Sequence, residues 1–79
     1  MTAVQEEPLR RSVRVQSVDR AVALLRAVAA ASQPEATVAA VAAECGLNRA
    51  TAWRILTTLE AGAMVTCDRR TGQWAIGLG

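Results

Sequence analysis

Two amphipathic segments of this chain are separated by a break of only three residues, Gly46-Leu47-Asn48. Gly46 can supply the left-handed backbone position that follows a helix, and Asn48 is among the preferred residues for capping the next one. Leu47 is apolar and is expected to fill the corner between them. Two helices joined by so few residues must cross steeply, so the break predicts a helix-turn-helix.

The segments on either side of this break have helical periodicity. Thr37 is placed to cap the first of them, and Gly62 follows the second. In the second helix, the positions predicted to face inward are Ala52, Ile55, Leu56 and Leu59, and those on the opposite side are Ala50, Trp53, Arg54 and Thr57. In the first helix the apolar stripe is Val38, Val41, Ala42 and Cys45.

A further helix is predicted before this pair. Ser17 can cap it, Asp19 lies in its first turn, and Pro34 requires it to end by about Ala31. Apolar residues recur at spacings of three and four, and they are Val18, Ala21, Val22, Leu25, Val28 and Ala29.

A hairpin is predicted after the helices. Residues 65–67 and 73–76 read as strands around the turn at residues 68–72, where Gly72 can adopt a positive φ. Trp74 and Ile76 share the strand face expected to cover the helices, with Gln73 and Ala75 outside. The predicted fold class is mainly α with a small β-hairpin: a winged helix-turn-helix of three helices and a two-stranded wing.

The length of 79 residues accommodates one small domain. Residues 1–16 are polar, contain Pro8 and show no apolar periodicity, so they are expected to form a flexible arm. Residues 17–79 form the predicted domain, with the helix-turn-helix at about 37–60 and the wing at about 64–77.

Composition argues against catalysis and metal binding. The chain has no His, which removes the commonest general base and the usual nitrogen ligand of metals. Cys45 and Cys67 are far apart and are expected to be structural, reduced thiols, although a single bridge between them is conceivable. We therefore expect no catalytic residue, no metal and no cofactor. The longest apolar run is six residues, Val38 to Ala43, so a cytoplasmic protein without a membrane partner is expected.

The order of the elements indicates duplex DNA as the partner. The net charge is +2, and all nine basic residues are Arg. The third helix can enter the major groove with its N-terminal residues nearest the base edges. Arginines in the turn of the wing can reach flanking phosphates or the minor groove. The candidate DNA-binding residues are Asn48, Arg49, Ala50, Thr51, Trp53, Arg54, Thr57, Arg69 and Arg70.

Each candidate also has an ordinary structural interpretation. Arg49, Arg54 and the wing arginines can be solvated surface charges, and Asn48 is first of all a cap. The Thr51 hydroxyl can bond back to the helix. An exposed Trp53 can also mark a protein contact. The alternative function is thus a winged-helix module that docks another protein through its Trp53 face. Arg54→Ala distinguishes the two, because DNA binding predicts weaker binding to the operator, whereas the alternative predicts that pull-down of the protein partner is lost.

Three segments resemble the IclR-type transcriptional regulators. They are VQSVDRA at residues 15–21, GLNRATAWRIL at 46–56 and DRRTGQWAIG at 68–77. The resemblance implies a bacterial regulator that binds a pseudo-palindromic operator as a homodimer, with Thr51 and Arg54 in the DNA-contacting helix. We expect it to repress by occupying the operator. Family members usually continue into a C-terminal effector-binding domain, so no effector ligand is expected for this chain, which ends at Gly79. Trp53 stands where members often carry His.

Overall fold

The computed structural model describes residues 14–32 and 35–77, and in this part of the chain three helices precede two antiparallel strands. The helices are α1, Gln16–Ala30, α2, Val38–Glu44, and α3, Arg49–Ala61; the strands are β1, Val65–Asp68, and β2, Gln73–Ile76. Most of the predicted arm, residues 1–13, lies outside the described residues, as do Gln33 and Pro34. The predicted winged helix-turn-helix is confirmed.

The corner between α2 and α3 is fixed by hydrogen bonds at both helix ends. Gly46 has a φ of 68°, its N–H donates to the carbonyl of Ala43, and the N–H of Leu47 donates to the carbonyl of Ala42. These two bonds form a Schellman motif, which satisfies carbonyls left free at the end of α2. Leu47 packs against the core, as expected. The α2 cap is also confirmed, because the Thr37 hydroxyl accepts a bond from the N–H of Ala40 at 3.2 Å.

The wing consists of β1, β2 and the turn at residues 69–72. Cys67 pairs with Trp74 and Val65 with Ile76, and Gly72 has the predicted positive φ, at 73°. The other edge of β2 pairs with the chain that enters α2, because Trp74 N–H donates to the carbonyl of Ala36 at 2.7 Å. The wing is thereby attached to the helix-turn-helix as well as to the end of α3.

A single apolar cluster holds the helices and the wing together. Trp74 is its largest buried side chain, and Leu56 of α3 is fully buried in it. Ala52 is also buried, while Ile55 and Leu59 are partly buried, which confirms the predicted inner face of α3. The buried members of the cluster are Leu24, Val28, Val41, Ala42, Ala52, Leu56, Val65 and Trp74.

Helix α1 begins earlier than predicted, and Ser17 does not cap it. Val15 occupies the N-cap position and makes no side-chain hydrogen bond. Arg14 donates to both carboxylate oxygens of Asp19, at 3.1 and 2.9 Å, and the N–H of Asp19 donates to the carbonyl of Val15. This exposed ion pair links the residue before the N-cap to the first turn, and Ser17 lies inside the helix as its second residue.

The predicted apolar face of α1 is also partly wrong. Leu24, which the prediction left out, is fully buried, whereas Val18, Val22 and Ala29 are exposed. Spacings of three and four fit two overlapping stripes on α1, and only the stripe through Leu24 and Val28 faces α3 and β2. Sequence periodicity alone does not choose between them.

The two faces of β2 differ from the prediction as well. Trp74 is buried as expected, but Ile76 is exposed at the end of the strand, beyond the helices. Gln73, predicted to lie outside, is half buried because it pairs with Thr37 at the edge of the sheet. Within the described residues, no helix has both the length and the apolar character of a membrane span.

Candidate nucleic-acid interface

The first turn of α3 is organised by Asn48. Its Oδ1 accepts a bond from the N–H of Thr51 at 2.7 Å, which confirms the predicted cap. Bidentate recognition of adenine needs the amide oxygen as well as the amide nitrogen of an asparagine. The helix already uses one of the two lone pairs of the Asn48 oxygen and fixes its direction, whereas both N–H donors of the amide are unused by the helix.

The outer face of α3, defined here as residues 49, 50, 51, 53, 54 and 57, projects away from the core. Arg49, Ala50 and Arg54 are exposed, and Thr51 is half buried. The Thr57 hydroxyl donates to the carbonyl of Arg54 at 3.0 Å. Among the side-chain hydrogen bonds between described residues, none involves the Thr51 hydroxyl or the guanidinium of Arg49 or Arg54. These three groups can therefore act as donors to a ligand.

The positive charge of this face is not neutralised locally. Neither Arg49 nor Arg54 forms an ion pair with another described residue, and the first turn of α3 contains no acidic side chain. The N–H groups of a helix N-terminus carry partial positive charge, which adds to that of Arg49. The N-terminal half of α3 thus presents the combination that attracts a polyanion.

Within the outer face of α3, Trp53 is the residue that contacts the wing. Its ring meets that of the buried Trp74 edge to face, with centroids 5.8 Å apart and planes at 77°. Such aromatic pairs contribute about 0.5–1.5 kcal/mol beyond the area they bury. The indole of Trp53 is still 46% exposed, so part of it is packed on the wing and part is free to contact a ligand.

The two wing arginines have different surroundings. Nη2 of Arg69 donates to both carboxylate oxygens of Glu60, at 3.0 and 2.9 Å, and this contact raises the pKa of the guanidinium. Arg70 extends into solvent, and its Nε lies 4.0 Å from the nearest oxygen of Asp68. Of the two predicted phosphate contacts, Arg70 is presented at the surface, and Arg69 is held against the last turn of α3.

A groove of about 580 Å³ separates the N-terminal half of α1 from α3. Most of its lining surface is apolar, and Ser17 and Arg20 of α1 line it together with Thr51 and Arg54 of α3. The sequence pattern indicated neither Arg20 as a neighbour of Thr51 and Arg54 nor Glu60 as a partner of Arg69. The helical pattern showed which face each residue occupies, but contacts between elements depend on how α1 and the wing pack on α3.

Nothing in the described part of the chain points to a metal or redox centre. No group of three or more metal-ligating side chains comes together there. Cys45 and Cys67 are both free thiols. Partial burial raises the pKa of Cys45, and the charge of Glu44 adds to this effect, so the reactive thiolate form is disfavoured.

Comparisons with known proteins agree with this geometry. The family model of the IclR helix-turn-helix domain matches residues 17–69. The fold is similar to the crystal structure of an IclR transcriptional regulator from Alicyclobacillus acidocaldarius, with a TM-score of 0.72 and 27% sequence identity. That alignment covers 82% of this chain and 26% of the other, so the chain spans about a quarter of that regulator's length. No curated protein sequence matches the chain significantly.

Proposed function

Because this chain belongs to the IclR helix-turn-helix family, a family of DNA-binding transcriptional regulators rather than of enzymes, we propose that it represses transcription by binding a specific duplex operator. The observation that carries the proposal is the outer face of α3. There Arg49 and Arg54 are exposed and unpaired among the described residues, and they stand beside small side chains that allow close approach to bases.

The proposal gives the outer face of α3 the role of reading bases in the major groove. Arg49 and Arg54 suit bidentate bonds to guanine, the commonest specific contact of an arginine. Thr51 and Ala50 can contact a thymine methyl group, and Thr51 retains its hydroxyl for a base or a phosphate. The exposed edge of Trp53 and the methyl group of Thr57 add apolar contacts along the groove.

Asn48 and the wing are proposed to position the protein on the backbone. The amide donors of Asn48 fit a phosphate oxygen, because the helix cap leaves both of them unused. The wing turn brings Arg69 and Arg70 toward the flanking backbone or minor groove, where contacts add affinity that depends on salt and little on sequence. The exposed guanidinium of Arg70 is the better placed of the two.

We further propose that two copies bind together on a pseudo-palindromic operator. Val15, Val18 and Val22 form an apolar stripe on α1 and are 56%, 56% and 42% exposed. A two-fold interface places the same patch of both copies in contact, and an apolar stripe complements itself in such an arrangement. Val18 and Val22 also line the groove beside Thr51 and Arg54, so this contact would set the spacing between the two recognition helices.

Repression follows from occupancy alone. A protein seated in the major groove excludes other proteins from the same stretch of duplex, so no catalytic group or additional surface is required. Transcription in vitro from a template with the operator overlapping the promoter should fall as the protein is added. A rise in transcript would contradict the repressive role while leaving DNA binding intact.

The direct test is selection from a random pool of duplexes with the purified chain, at about 50 and 200 mM salt, where release of counterions separates specific from purely electrostatic binding. We expect an inverted repeat that survives the higher salt. Enrichment of single half-sites would contradict the paired arrangement. Absence of any enriched sequence at either salt would contradict sequence-specific binding.

A further inference from the structure

Arg69 and Glu60 connect the wing to α3, two elements whose separation must stay constant if both are to contact DNA. Glu60 lies in the last turn of α3, and Arg69 is the first residue after β1. One guanidinium nitrogen donates to both carboxylate oxygens, at 3.0 and 2.9 Å. The pair therefore spans the corner between the DNA-facing helix and the turn of the wing.

Arg70, the adjacent residue, is free of such a contact. Its side chain is 90% exposed, against 62% for Arg69. The nearest carboxylate, that of Asp68, lies 4.0 Å from the Arg70 Nε and instead accepts a bond from the backbone N–H of Arg70 at 3.0 Å. Asp68 thus shapes the turn and leaves the guanidinium of Arg70 pointing outward.

The bonds to Glu60 use only Nη2, so other N–H groups of the Arg69 guanidinium remain, but the Glu60 carboxylate neutralises the charge that would attract a phosphate. A phosphate contact by Arg69 would also bring the Glu60 carboxylate toward the negatively charged backbone, where like charges repel. The carboxylate nearest to Arg70 is that of Asp68, and at 4.0 Å from Nε it is too far for a hydrogen bond. Of the two adjacent wing arginines, Arg69 is therefore paired within the protein and Arg70 is available to DNA.

We infer that Arg69 is a positioning residue, which holds the wing against α3 through Glu60, and that of the two wing arginines Arg70 alone contacts phosphate. The Trp53–Trp74 contact supports the same arrangement at the N-terminal half of α3. Two contacts, one toward each end of the helix, thus set the distance between the outer face of α3 and Arg70. This inference rests on the proposed function, since it divides the roles within the proposed DNA surface.

The test uses three variants: two double variants, both of which keep the net charge of the parent, and one single variant. In Glu60→Gln with Arg69→Gln, the ion pair is lost. In Glu60→Arg with Arg69→Glu, it is rebuilt with reversed polarity. Arg70→Gln removes the proposed phosphate contact. Binding of each to a labelled 20-base-pair duplex of random sequence is measured by fluorescence anisotropy from about 50 to 200 mM salt, where each phosphate contact contributes about 0.9 to the slope of log affinity against log salt.

We expect Arg70→Gln to lower this slope by about 0.9, which reduces the loss of affinity across the salt range about threefold. The Gln/Gln variant should bind more weakly at every salt concentration with an unchanged slope, and the reversed pair should restore parental binding. A slope about 0.9 lower in the Gln/Gln variant, or binding by the reversed pair that is weaker than that of the Gln/Gln variant, would overturn the inference, because each result places Arg69 on a phosphate.

A measurement without DNA separates this inference from the proposed function. Hydrogen exchange at the Thr71 and Gly72 amides, both of which donate to the carbonyl of Asp68, reports how well the wing turn is held. Exchange should accelerate in the Gln/Gln variant and stay at the parental rate in Arg70→Gln. Equal exchange in all variants would overturn the positioning role. If the parent protein binds no duplex at about 50 mM salt, the proposed function fails, and the exchange data still decide whether Glu60 holds the wing.

Discussion

At Ala63 a single residue adopts a conformation that favours glycine. Its φ is 63°, and the N–H groups of Ala63 and Met64 donate to the carbonyls of Glu60 and Leu59, which forms a second Schellman motif at the end of α3. The sequence places its glycine one residue earlier, at Gly62, whose φ of −90° is accessible to any residue. The turn therefore stores strain in a backbone that also sets the direction of β1.

Ala63→Gly should stabilise the domain. In the left-handed region a non-glycine residue is strained by about 1–2 kcal/mol, and glycine removes this strain. Glycine also gives the unfolded chain more conformational freedom, which lowers the free energy of unfolding by about 0.4–1 kcal/mol. The net gain of about 0.5–1 kcal/mol corresponds to a melting temperature about 2–8 °C higher, measured by circular dichroism. Ala29→Gly, at an exposed helical position of α1, serves as the control and should lower it. A lower melting temperature for Ala63→Gly would contradict the claim that the backbone at Ala63 is strained.

Asn48 combines a cap with a proposed phosphate contact, and substitution can separate the two. The carboxylate introduced by Asn48→Asp would still accept the Thr51 N–H bond, so this variant should keep parental thermal stability. Its negative charge should nonetheless weaken binding to any duplex. Asn48→Ala should lose about 1 kcal/mol of stability in addition. Parental DNA affinity in a stably folded Asn48→Asp variant would show that Asn48 serves only the helix.

At the scale of the elements, α3 is the helix whose inner face supports the whole domain. Leu56 is fully buried among α1, α2 and the wing. Leu56→Ala should destabilise the domain by about 2–5 kcal/mol through the cavity it leaves, and Leu56→Met should cost less than about 1.5 kcal/mol. Denaturant titration measures both. If the Ala variant unfolds at the same midpoint as the parent, the inner face of α3 is assigned wrongly.

The sequence predicted those features of the elements that depend on local interactions, and it failed for those that depend on packing between elements. Thr37, Gly46 and Asn48 were assigned correctly, because each acts on its own helix end within three or four residues. The apolar face of α1 was assigned only in part, and the cap at Ser17 was assigned wrongly. The stripe through Leu24 is buried by packing on α3 and β2, and α1 begins at Gln16, after a Val15 N-cap that makes no side-chain hydrogen bond, so helical spacing alone determines neither.

In the candidate site, too, local features were predictable from the sequence and contacts between elements were not. The outer face of α3 was predictable, because helical periodicity separates it from Leu56 and the other core residues. The ion pair of Arg69 with Glu60 was not, since the two residues are nine positions apart across a helix-to-strand corner. The contact of Trp53 with Trp74 likewise depends on where the wing packs.

At the scale of the whole molecule, the exposed valines of α1 are proposed to join two copies on DNA. Val18→Glu should prevent paired binding to an inverted repeat, because it would bury a carboxylate at a two-fold interface, while binding to a single half-site persists. Gln16→Glu adds the same charge on the same helix outside the stripe and should bind as a pair. Gel-shift analysis with one and two half-sites distinguishes these complexes. A Val18→Glu variant that still binds as a pair would place the contact elsewhere.

The proposed function depends on α3 reading base pairs, and repeating the random-duplex selection with Arg54→Ala tests this most directly. The parallel control is Arg26→Ala, which removes an exposed arginine from α1. Arg54→Ala should lose the preference at one base pair of each half-site and bind the parental sequence about 1–3 kcal/mol more weakly, whereas Arg26→Ala should recover the parental motif. Recovery of that same motif with parental affinity by Arg54→Ala would contradict the assignment of α3 as the reading element.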